Sequence, residues 1–406
     1  MRKINSGNWF YWKIFGVVLT LLPPFLSLFL IDISCVQLAT AKEVRYLHRS
    51  PKGLMMGDAF TAVADDEYTL FYNPAALGRH RGVSAYFINP DVSVTNVLDE
   101  MDRFKNFPQD DPVGIAERVI GLPLHLHLAG TPGFKLASFG MSFFANFTTN
   151  ISLKNYIHPA VDVDYRYDRG FVIGYAYTLG SGFKPKREGR RKKSSKSSSA
   201  GKNVSLGLAV KHMNRQGIDN SFDLFGAELL NIISEGKGKD FNQIRNDLGY
   251  SKGSAWGVDS GVEFSWTSGR SQFNLGVAAQ DIGNTTFEHD EGTERVPTQD
   301  MLLSIGTSFR QDFALLDYTL SLDVHPINQD IDYLRRMHVG FELGIPFVSL
   351  LLGWNGGYVS YGVQLELWPI KILAGFYGVE LGGKYGQLKG NRGMIYISIL
   401  NLSFDS

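Results

Sequence analysis

The segment "KLASFGMSFFANF" (residues 135–147) alternates large apolar residues with small or polar ones. Phe139, Met141 and Phe143 stand at odd positions, and Gly140 and Ser142 stand between them. In a β-strand, side chains two positions apart share a face, so a period of two is the sequence signal of a strand. The segment therefore predicts a strand with one bulky apolar face and one face of small residues.

The same alternation returns along most of the chain after about residue 120. The small-residue face also carries charges, among them Lys211, Asp259 and Glu263, and aromatic side chains such as Trp256 and Trp266 collect at strand ends. A soluble β-sandwich also alternates and is the alternative. An apolar face toward lipid and a wet lumen favour an all-β fold, a transmembrane antiparallel β-barrel. The alternating segments include 170–179, 204–210, 256–266, 273–280, 302–310, 318–325, 339–345, 359–367 and 395–399.

Long and short connections follow one another between the predicted strands. Outer-membrane barrels have long surface loops and tight periplasmic turns. The pattern predicts about 14 strands, of which the first covers residues 82–88, and both termini in the periplasm. The short connections include "GTPG" (130–133), "TSGRS" (267–271) and "RQDFA" (310–314), and the long ones are 89–122, 148–160, 214–253, 281–298, 326–337 and 379–391.

The first 41 residues predict a secretory signal peptide. Arg2 and Lys13 supply a positive start, Ile14–Leu30 is almost wholly apolar, and residues 39–41 form a small-x-small cleavage pattern. An uncleaved anchor helix is the alternative. Because Cys35 is the only cysteine, cleavage would leave a chain that can form neither a disulfide nor a thiolate metal site.

The basic stretch 184–202 holds nine Lys or Arg residues against one Glu, in a chain whose formal net charge is zero. Its serine-rich, low-complexity composition predicts a disordered insertion over residues 181–202. A basic run can bind nucleic acid, but an exported envelope protein has little chance of meeting any. We therefore predict no nucleic-acid partner, and a solvated insertion that touches anionic lipid heads or peptidoglycan.

The stretch "FTAVADDEYTLFYNPAALGRHRG" (Phe60–Gly82) precedes the first predicted strand and matches neither a regular helix nor a membrane strand. Asn73-Pro74 would stop a helix, because the residue before proline is pushed out of the helical region. A barrel of about 14 strands is too wide for its own side chains to fill. We predict that residues 42–80 form a hatch inside the lumen and that residues 81–406 form the barrel. The acidic run of the hatch is expected to pair with Arg or Lys, with calcium binding as the alternative.

The sequence "KGLMMGDAFTAVADDEYTLFYNPAALG" (Lys52–Gly78) resembles the N-terminal hatch of the FadL-type outer-membrane proteins, with residues 73–75 as its NPA element. That superfamily includes transporters of long-chain fatty acids and aromatic hydrocarbons, and also the PorV-like barrels of protein secretion. The segments 275–310 and 352–367 are similar to the C-terminal half of PorV-like members. The resemblance implies a 14-stranded barrel with a hatch and, in the transporters, lateral release of substrate through a wall opening. The chain departs from the pattern at Asp58 and in its basic insertion.

The resemblance implies passive transport of hydrophobic small molecules, such as long-chain fatty acids, across the outer membrane of a Gram-negative-type bacterium. The alternative is a PorV-like barrel that binds or anchors a protein partner in secretion or envelope assembly; a structural porin-like barrel is a third hypothesis. The predicted partners are outer-membrane lipid, a hydrophobic ligand and, in the alternative, a protein. The sequence has no HExxH, GxSxG or P-loop motif, and His125 and His127 are too few for a metal site, so we predict no enzyme, cofactor or metal.

Two sets of residues are candidates for ligand contact. The hatch set combines the special backbone positions and aromatic side chains of the hatch. The second set comes from two loops, "VLDEMDRF" (97–104) and "SFDLFGAELLNII" (221–233), which predict amphipathic helices that form an apolar groove at the outer surface or simply pack on the barrel rim. The hatch and substrate-pocket candidates are Gly57, Phe60, Phe71, Tyr72, Asn73, Pro74 and Ala75, and the groove candidates are Leu98, Met101, Phe104, Phe222, Phe225 and Leu229.

Overall fold

The computed structural model describes residues 43–96, 105, 118, 121–154, 160–181, 201–223 and 241–404. Within these ranges the strands form one antiparallel sheet that closes on itself. The predicted signal peptide and residues 182–200 of the predicted basic insertion lie outside the described residues. Ser181 and Lys202, which frame that insertion, pair with each other on neighbouring strands.

The wall of the barrel is built from 18 described strand segments. They are β1 (Val83–Tyr86), β2 (Pro90–Thr95), β3 (Leu124–Gly130), β4 (Gly133–Leu136), β5 (Phe139–Lys154), β6 (Ala160–Ser181), β7 (Gly201–Asp223), β8 (Ser251–Ser268), β9 (Ser271–Gln280), β10 (Glu288–Gly292), β11 (Leu302–Asp312), β12 (Asp317–Val324), β13 (Met337–Ile345), β14 (Val348–Asn355), β15 (Tyr358–Leu367), β16 (Ile370–Glu380), β17 (Lys389–Ile399) and β18 (Leu402–Phe404).

Several of these segments share one wall strand. Three pairs of segments each form a single interrupted strand, namely β1 with β2, β3 with β4, and β17 with β18. β10 is a short extension that pairs with one end of β8. The wall therefore contains the predicted 14 strands. It closes where β17 pairs with β2 and β18 pairs with β1. We call the end of the barrel that carries the long connections the outer end.

An apolar band surrounds the outside of the barrel. On β8 the outward-facing Trp256 and Trp266 are 65% and 44% exposed, with Val258 and Val262 between them on the same face. Ten residues of tilted strand rise roughly 25 Å, which is the height of the lipid-facing band of an outer-membrane-type barrel. Beyond Trp256 the outward positions become polar, beginning with Ser254.

β5, β7 and β8 extend further at the outer end than the sequence analysis predicted. β5 runs to Lys154, β7 runs to Asp223 and β8 begins at Ser251, all inside the predicted connections 148–160 and 214–253. The hydrogen-bonded ladder continues there, but the outward positions mix polar residues such as Asn214 and Gln216 with apolar ones such as Ile151 and Ile218. The regular alternation of apolar and polar residues therefore ends before the strand does.

Two more connections were predicted wrongly. β2 continues the first wall strand into the predicted connection 89–122, and "GTPG" (130–133) interrupts the second wall strand instead of ending it. The turn lies at Ala137–Ser138, inside the segment 135–147 that predicted a single strand. Prolines at both breaks account for the error, because proline cannot donate a ladder hydrogen bond and is typical of a strand end.

The described helices are short, and most lie before the first strand. None of them is long and apolar enough to cross a membrane. Three of them lie in residues 43–82, which we call the hatch, and these contact β5–β9 and β14–β17. The hatch therefore lies inside the closed sheet. The helices are α1 (Pro51–Met55), α2 (Thr69–Tyr72), the 3₁₀ helix η1 (Pro74–Arg79), α3 (Phe241–Asp247) and the 3₁₀ helix η2 (Tyr333–Arg336).

Candidate functional site

The hatch has a core of its own. Phe60 is fully buried and packs on Tyr72 with 5.2 Å between the ring centroids. The Tyr72 hydroxyl donates to Asp58 Oδ1 (2.7 Å) and accepts from the Ser50 amide (3.1 Å), while the Ser50 hydroxyl caps α1 by accepting from the Gly53 amide. Asp58, where the chain departs from the family pattern, therefore fixes an aromatic side chain of the hatch.

Asn73 and Pro74 form a tight corner between α2 and η1. Asn73 is fully buried; its Oδ1 accepts from the Ala75 amide (3.0 Å) and its Nδ2 donates to the Thr61 carbonyl (3.4 Å). Proline suits the first position of a helix, because the N–H it lacks would have no partner there. The corner therefore starts η1 and ties it to an earlier turn of the hatch.

A belt of inward-facing glycines surrounds the hatch. A Cβ added to any of them would lie within 3.0 Å of a hatch atom, which is closer than real Cβ contacts allow. The wall therefore makes room for the hatch by omitting side chains. We call these residues the glycine belt; they form the cross-strand pairs Gly140–Gly174, Gly207–Gly261, Gly276–Gly306, Gly340–Gly353 and Gly362–Gly375.

At two places the belt brings main chain against main chain. A Cβ on Gly207 would collide with the backbone of Ala75, and a Cβ on Gly353 would collide with that of Gly57. Gly57 has φ of 67°, and its own added Cβ would stand 2.5 Å from the Val339 carbonyl oxygen. Only glycine satisfies both the positive φ and the close approach.

The regular strand pairing is interrupted at one level in three neighbouring strands, at residues 87–89, 131–132 and 400–401, where Ile88 keeps one bridge to Ile399. The buried Asn89 bridges the first two breaks, because its Nδ2 donates to the Thr131 carbonyl (2.7 Å) and its Oδ1 accepts from the Thr131 amide (2.9 Å). A side-chain amide thus replaces a pair of ladder hydrogen bonds. We call these three breaks the seam.

Polar side chains of the hatch meet the seam from the lumen. Glu67 Oε1 accepts from Asn89 Nδ2 at 3.3 Å and also from the Tyr396 hydroxyl. The amide that bridges the break is therefore shared with the hatch. The other hydrogen bonds of this kind join Tyr68 Oη to Asp91 Oδ2 (3.1 Å) and His48 Nε2 to Thr131 Oγ1.

The acidic run of the hatch lies among basic side chains. Lys135 donates to the main-chain carbonyls of Asp65 and Asp66. Burial alone would raise the pKa of Asp65, but Lys52 and Arg310 lower it to about 2. Asp65 therefore faces Lys and Arg as predicted, whereas Asp66 accepts a hydrogen bond from the Ser50 hydroxyl (2.7 Å) and Glu67 accepts from Asn89 and Tyr396. In the described part of the chain, no group of three His, Cys, Asp or Glu side chains is placed to hold a metal ion.

A small polar cavity of about 40 Å³ separates the first residues of the hatch from the wall. On its lining, Glu43 accepts hydrogen bonds from Arg392 Nη1 (2.8 Å) and Nη2 (2.6 Å) and contacts Arg49 Nη2 (3.2 Å). A second cavity of similar size lies on the other side of Tyr46, beside Arg335. Each has room for about three water-sized groups, so neither of these two cavities holds a long apolar ligand.

The seven predicted hatch candidates form the interior of the hatch, and neither of these two cavities is lined by them. Their contact with a substrate stays a prediction. Phe222 lies in β7, where it is buried, and not in a helix, because the ladder with β6 continues to Asp223. The other groove candidates, Leu98, Met101, Phe104, Phe225 and Leu229, lie outside the described residues.

The sequence analysis missed the seam and the Glu43–Arg392 pair. Pro90 and Pro132 mark the seam in neighbouring strands, and two prolines at one level of a wall are a readable signal of a break. Glu43 and Arg392 are 349 positions apart, and no local pattern connects them. Only the register of the closed sheet brings them together.

The fold and the site define a transmembrane β-barrel whose lumen is filled by its own N-terminal hatch. A scan against protein-family models and a search of curated proteins found no match. Among solved structures, the chain is similar to the Pseudomonas putida toluene transporter TodX, with 10% identity, a TM-score of 0.41, and coverage of 88% of this chain and 100% of that one.

Two further solved structures are similar at the same identity of 10%. A TodX deltaS2S3 mutant channel has a TM-score of 0.47 with coverage of 89% and 100%, and the Ralstonia pickettii toluene transporter TbuX has a TM-score of 0.39 with coverage of 89% and 99%. Their names are those of a monoaromatic hydrocarbon channel and a toluene transporter.

Proposed function

We propose that the protein is an outer-membrane barrel that lets hydrophobic small molecules, such as long-chain fatty acids, pass down their concentration gradient. The seam carries the proposal, because it is a break in the wall that the hatch supports from the lumen. Glu67 of the hatch binds the same Asn89 amide that bridges the break. Movement of the hatch therefore removes a support of the wall at this point.

The lipid side of the seam is apolar. Phe87, Ile88 and Leu400 are 54%, 52% and 45% exposed there. A hydrophobic molecule that leaves the lumen at the seam enters lipid without crossing water, so its apolar surface keeps a stabilisation of roughly 25 cal/mol per Å². Passage of this kind is downhill and needs no energy source.

The location is tested by fractionation. We expect the protein in the outer membrane, migrating as a heat-modifiable β-rich band and lacking residues 1–41. Recovery in the soluble periplasm would contradict the transport proposal.

The seam itself is tested by a reversible lock. In a Cys35→Ser background, Asn89→Cys with Thr131→Cys places two thiols across the break. A matched control, Thr178→Cys with Ser205→Cys, places two thiols across the uninterrupted pair β6 and β7, where the hydroxyl oxygens are 2.9 Å apart. The measurement is uptake of radiolabelled naphthalene, a neutral hydrocarbon, by cells that carry each variant in the outer membrane.

We expect oxidation of the seam variant to abolish most of the naphthalene uptake and reduction to restore it. The control variant should transport equally in both states, because its disulfide joins strands that are already paired. Equal uptake by the oxidised and reduced seam variant, with the disulfide verified by mass spectrometry, would falsify release at the seam.

A further inference from the structure

Three successive turns have apolar tips at the end of the barrel opposite the long connections, which we call the inner end. Trp368, Leu315 and Phe347 are 81%, 72% and 68% exposed there, the largest values for a large apolar side chain among the described residues. The turn that joins β8 to β9 at the same end is polar instead, with the sequence "SGRS" (268–271). We call the three apolar turns the apolar rim; they are residues 313–316, 346–347 and 368–369.

Phe347 occupies a turn position that favours glycine. It follows Pro346 and has φ of 69°, as the third residue of a type II turn has, where glycine or asparagine is usual. A bulky residue strains the main chain at such a φ, because its Cβ lies too close to a neighbouring carbonyl. Since most of the Phe347 side chain is exposed, contacts within the described chain do little to offset this strain. The ring therefore indicates a stabilising contact with something outside the chain.

The main chain of the rim is also suited to an apolar environment. In lipid every backbone polar group has to be paired, because no water replaces a missing partner. Pro346 and Pro369 have no N–H to pair, and two carbonyls of the rim accept hydrogen bonds from adjoining strands. These groups therefore need no water. The hydrogen bonds at the rim run from the Glu366 amide to the Phe347 carbonyl (2.9 Å), from the Leu400 amide to the Pro369 carbonyl (3.0 Å) and from the Phe313 amide to the Leu316 carbonyl (2.8 Å).

The charges beside the rim are paired. Arg310 Nη2 lies 2.8 Å from Asp317 Oδ2, and Lys371 Nζ lies 3.8 Å from Glu366 Oε1. The tips themselves carry no charged side chain. By contrast, Arg270 at the tip of the polar turn is exposed and has no ion-pair partner among the described residues. Lipid around the rim would therefore meet no unpaired charge, whereas lipid around the polar turn would.

The strands above the rim are too short to cross the lipid band alone. β12, β13 and β14 have 8, 9 and 8 residues, whereas β6, β7 and β8 have 22, 23 and 18. Trp354 faces outward in one row with Val339 and Val359, and tryptophan is typical of the membrane interface. From Trp354 to Phe347 the strand rises roughly 18 Å, against roughly 25 Å for the lipid band. With Trp354 at the outer interface, Phe347 lies about 7 Å inside the band.

We propose that the apolar rim is a lipid-binding surface, and that its partner is the acyl chains of the membrane leaflet at the inner end. The exposed tips supply the apolar height that the short strands lack, so the bilayer need not become thinner on this side. The polar turn stays in water, because β8 already crosses the band between Trp256 and Trp266. A water-soluble protein on the rim would leave about 7 Å of the lipid band without an apolar wall, so the observations favour lipid. The inference does not depend on what the barrel transports.

The first test measures the equilibrium of folding of the full-length protein into vesicles of two thicknesses, dioleoylphosphatidylcholine and the thinner dilauroylphosphatidylcholine. In the thick bilayer, Phe347→Lys should lower the folding equilibrium constant about tenfold, which is 1.4 kcal/mol, because lysine is costly inside the lipid band. In the thin bilayer the rim emerges into water, and the loss should shrink to about twofold or less. The matched control is Ser268→Lys at the polar turn, which should change the constant by no more than about twofold in either lipid.

The second measurement needs no change in the folding equilibrium. In a Cys35→Ser background, a bimane label is attached to Phe347→Cys or to the control Ser268→Cys in dioleoylphosphatidylcholine vesicles. Phosphatidylcholine brominated in its acyl chains should quench the label at position 347 and not the label at position 268. Iodide in the water should quench only the label at position 268.

Two results would overturn the lipid-binding surface. The first is a loss of folding in Phe347→Lys that is equal in the two lipids, because the side chain would then act through packing within the protein. The second is a label at position 347 that brominated chains do not reach, whether iodide quenches it or cross-linking shows a second copy of the chain against it.

Discussion

The glycine belt and the seam hold the same hatch in opposite ways. At the belt, wall and hatch approach so closely that even one Cβ on Gly207 or Gly353 would collide with hatch main chain. At the seam, contact is made through hydrogen bonds between long side chains, such as those from Asn89 and Tyr396 to Glu67. The belt contact is lost by any shift of the hatch, whereas the seam contacts can be replaced one by one with water.

This difference separates anchoring from release. Steric contact fixes the position of the hatch without any bond that a solvent molecule could imitate, because close-packed surfaces resist deformation. Hydrogen bonds to water and to protein differ by only about 1 kcal/mol, so the seam can open at small cost. We infer that the belt sets where the hatch lies and that the seam sets where the wall yields.

Deletion of residues 47–76 should have the largest effect, since it removes the partner of both regions at once. The strand ladder does not include these residues, so the barrel should still insert. We expect a change from a closed state to a stable ion-conducting pore, measured as single-channel conductance in planar bilayers at matched protein amounts. A deletion variant as closed as the wild type would show that the segment does not fill the lumen.

Gly207→Leu should disturb the belt alone. The new side chain overlaps the main chain of Ala75, which costs roughly 1–3 kcal/mol when packing must rearrange. We expect partial, flickering conductance, smaller than that of the deletion, because Gly57 still rests against Gly353. Gly130→Leu is the control, since nothing lies within 4 Å of its added Cβ. Equal behaviour of the two variants would rule out a belt that anchors the hatch.

Asn73→Ala with Pro74→Ala should loosen the hatch without displacing it. Loss of the cap acceptor for the Ala75 amide costs about 1 kcal/mol, and loss of the fixed proline φ adds to this. We expect brief openings that are rarer than in Gly207→Leu, together with altered uptake of a hydrophobic substrate. Asn73→Ser retains a capping oxygen and should stay close to the wild type. A double variant that opens as rarely as Asn73→Ser would contradict the role of the Asn73-Pro74 corner in holding the hatch.

The smallest change in channel opening should come from the titration of Asp66, which lies on the seam side of the hatch. Burial, together with Glu67 and Asp65, raises the pKa of Asp66 to about 7. The folded hatch therefore binds this proton more tightly than the unfolded chain, and the Asp66 contribution to stability is lost as pH rises from about 4 to about 7. Above pH 7 no further loss is expected from this group.

The measurement is the open fraction of single channels between pH 4 and 7, as a difference between the wild type and Asp66→Asn. A difference is needed because burial lowers the pKa of His48 to about 4, which makes the hatch more stable as pH rises through the same window. The wild type should open progressively more than Asp66→Asn toward pH 7. Parallel curves for the two proteins would exclude Asp66 as the source.

The barrel was predictable because every strand that crosses lipid alternates apolar outward residues with small or polar inward ones. Outside the lipid band this alternation is lost, so the sequence analysis placed the ends of β5 and β7 and the start of β8 too close to the lipid band. Proline was read as the end of a strand, which hid the breaks that form the seam. The glycines of the belt were visible as one face of the alternation, but their pairing depends on register between strands, which a single strand pattern does not contain.

The seam also lies where the first and last strands of the chain meet, because β17 and β18 pair with β2 and β1. When the strands pair in chain order during biogenesis, this joint is the last part of the ring to form. The hatch precedes β1 in the chain, and its contacts with the belt involve nearly the whole circumference, so the hatch has to be enclosed before the ring is completed. The opening through which the nascent sheet takes in the hatch and the opening proposed for the ligand are then the same place, used once during assembly and repeatedly afterwards.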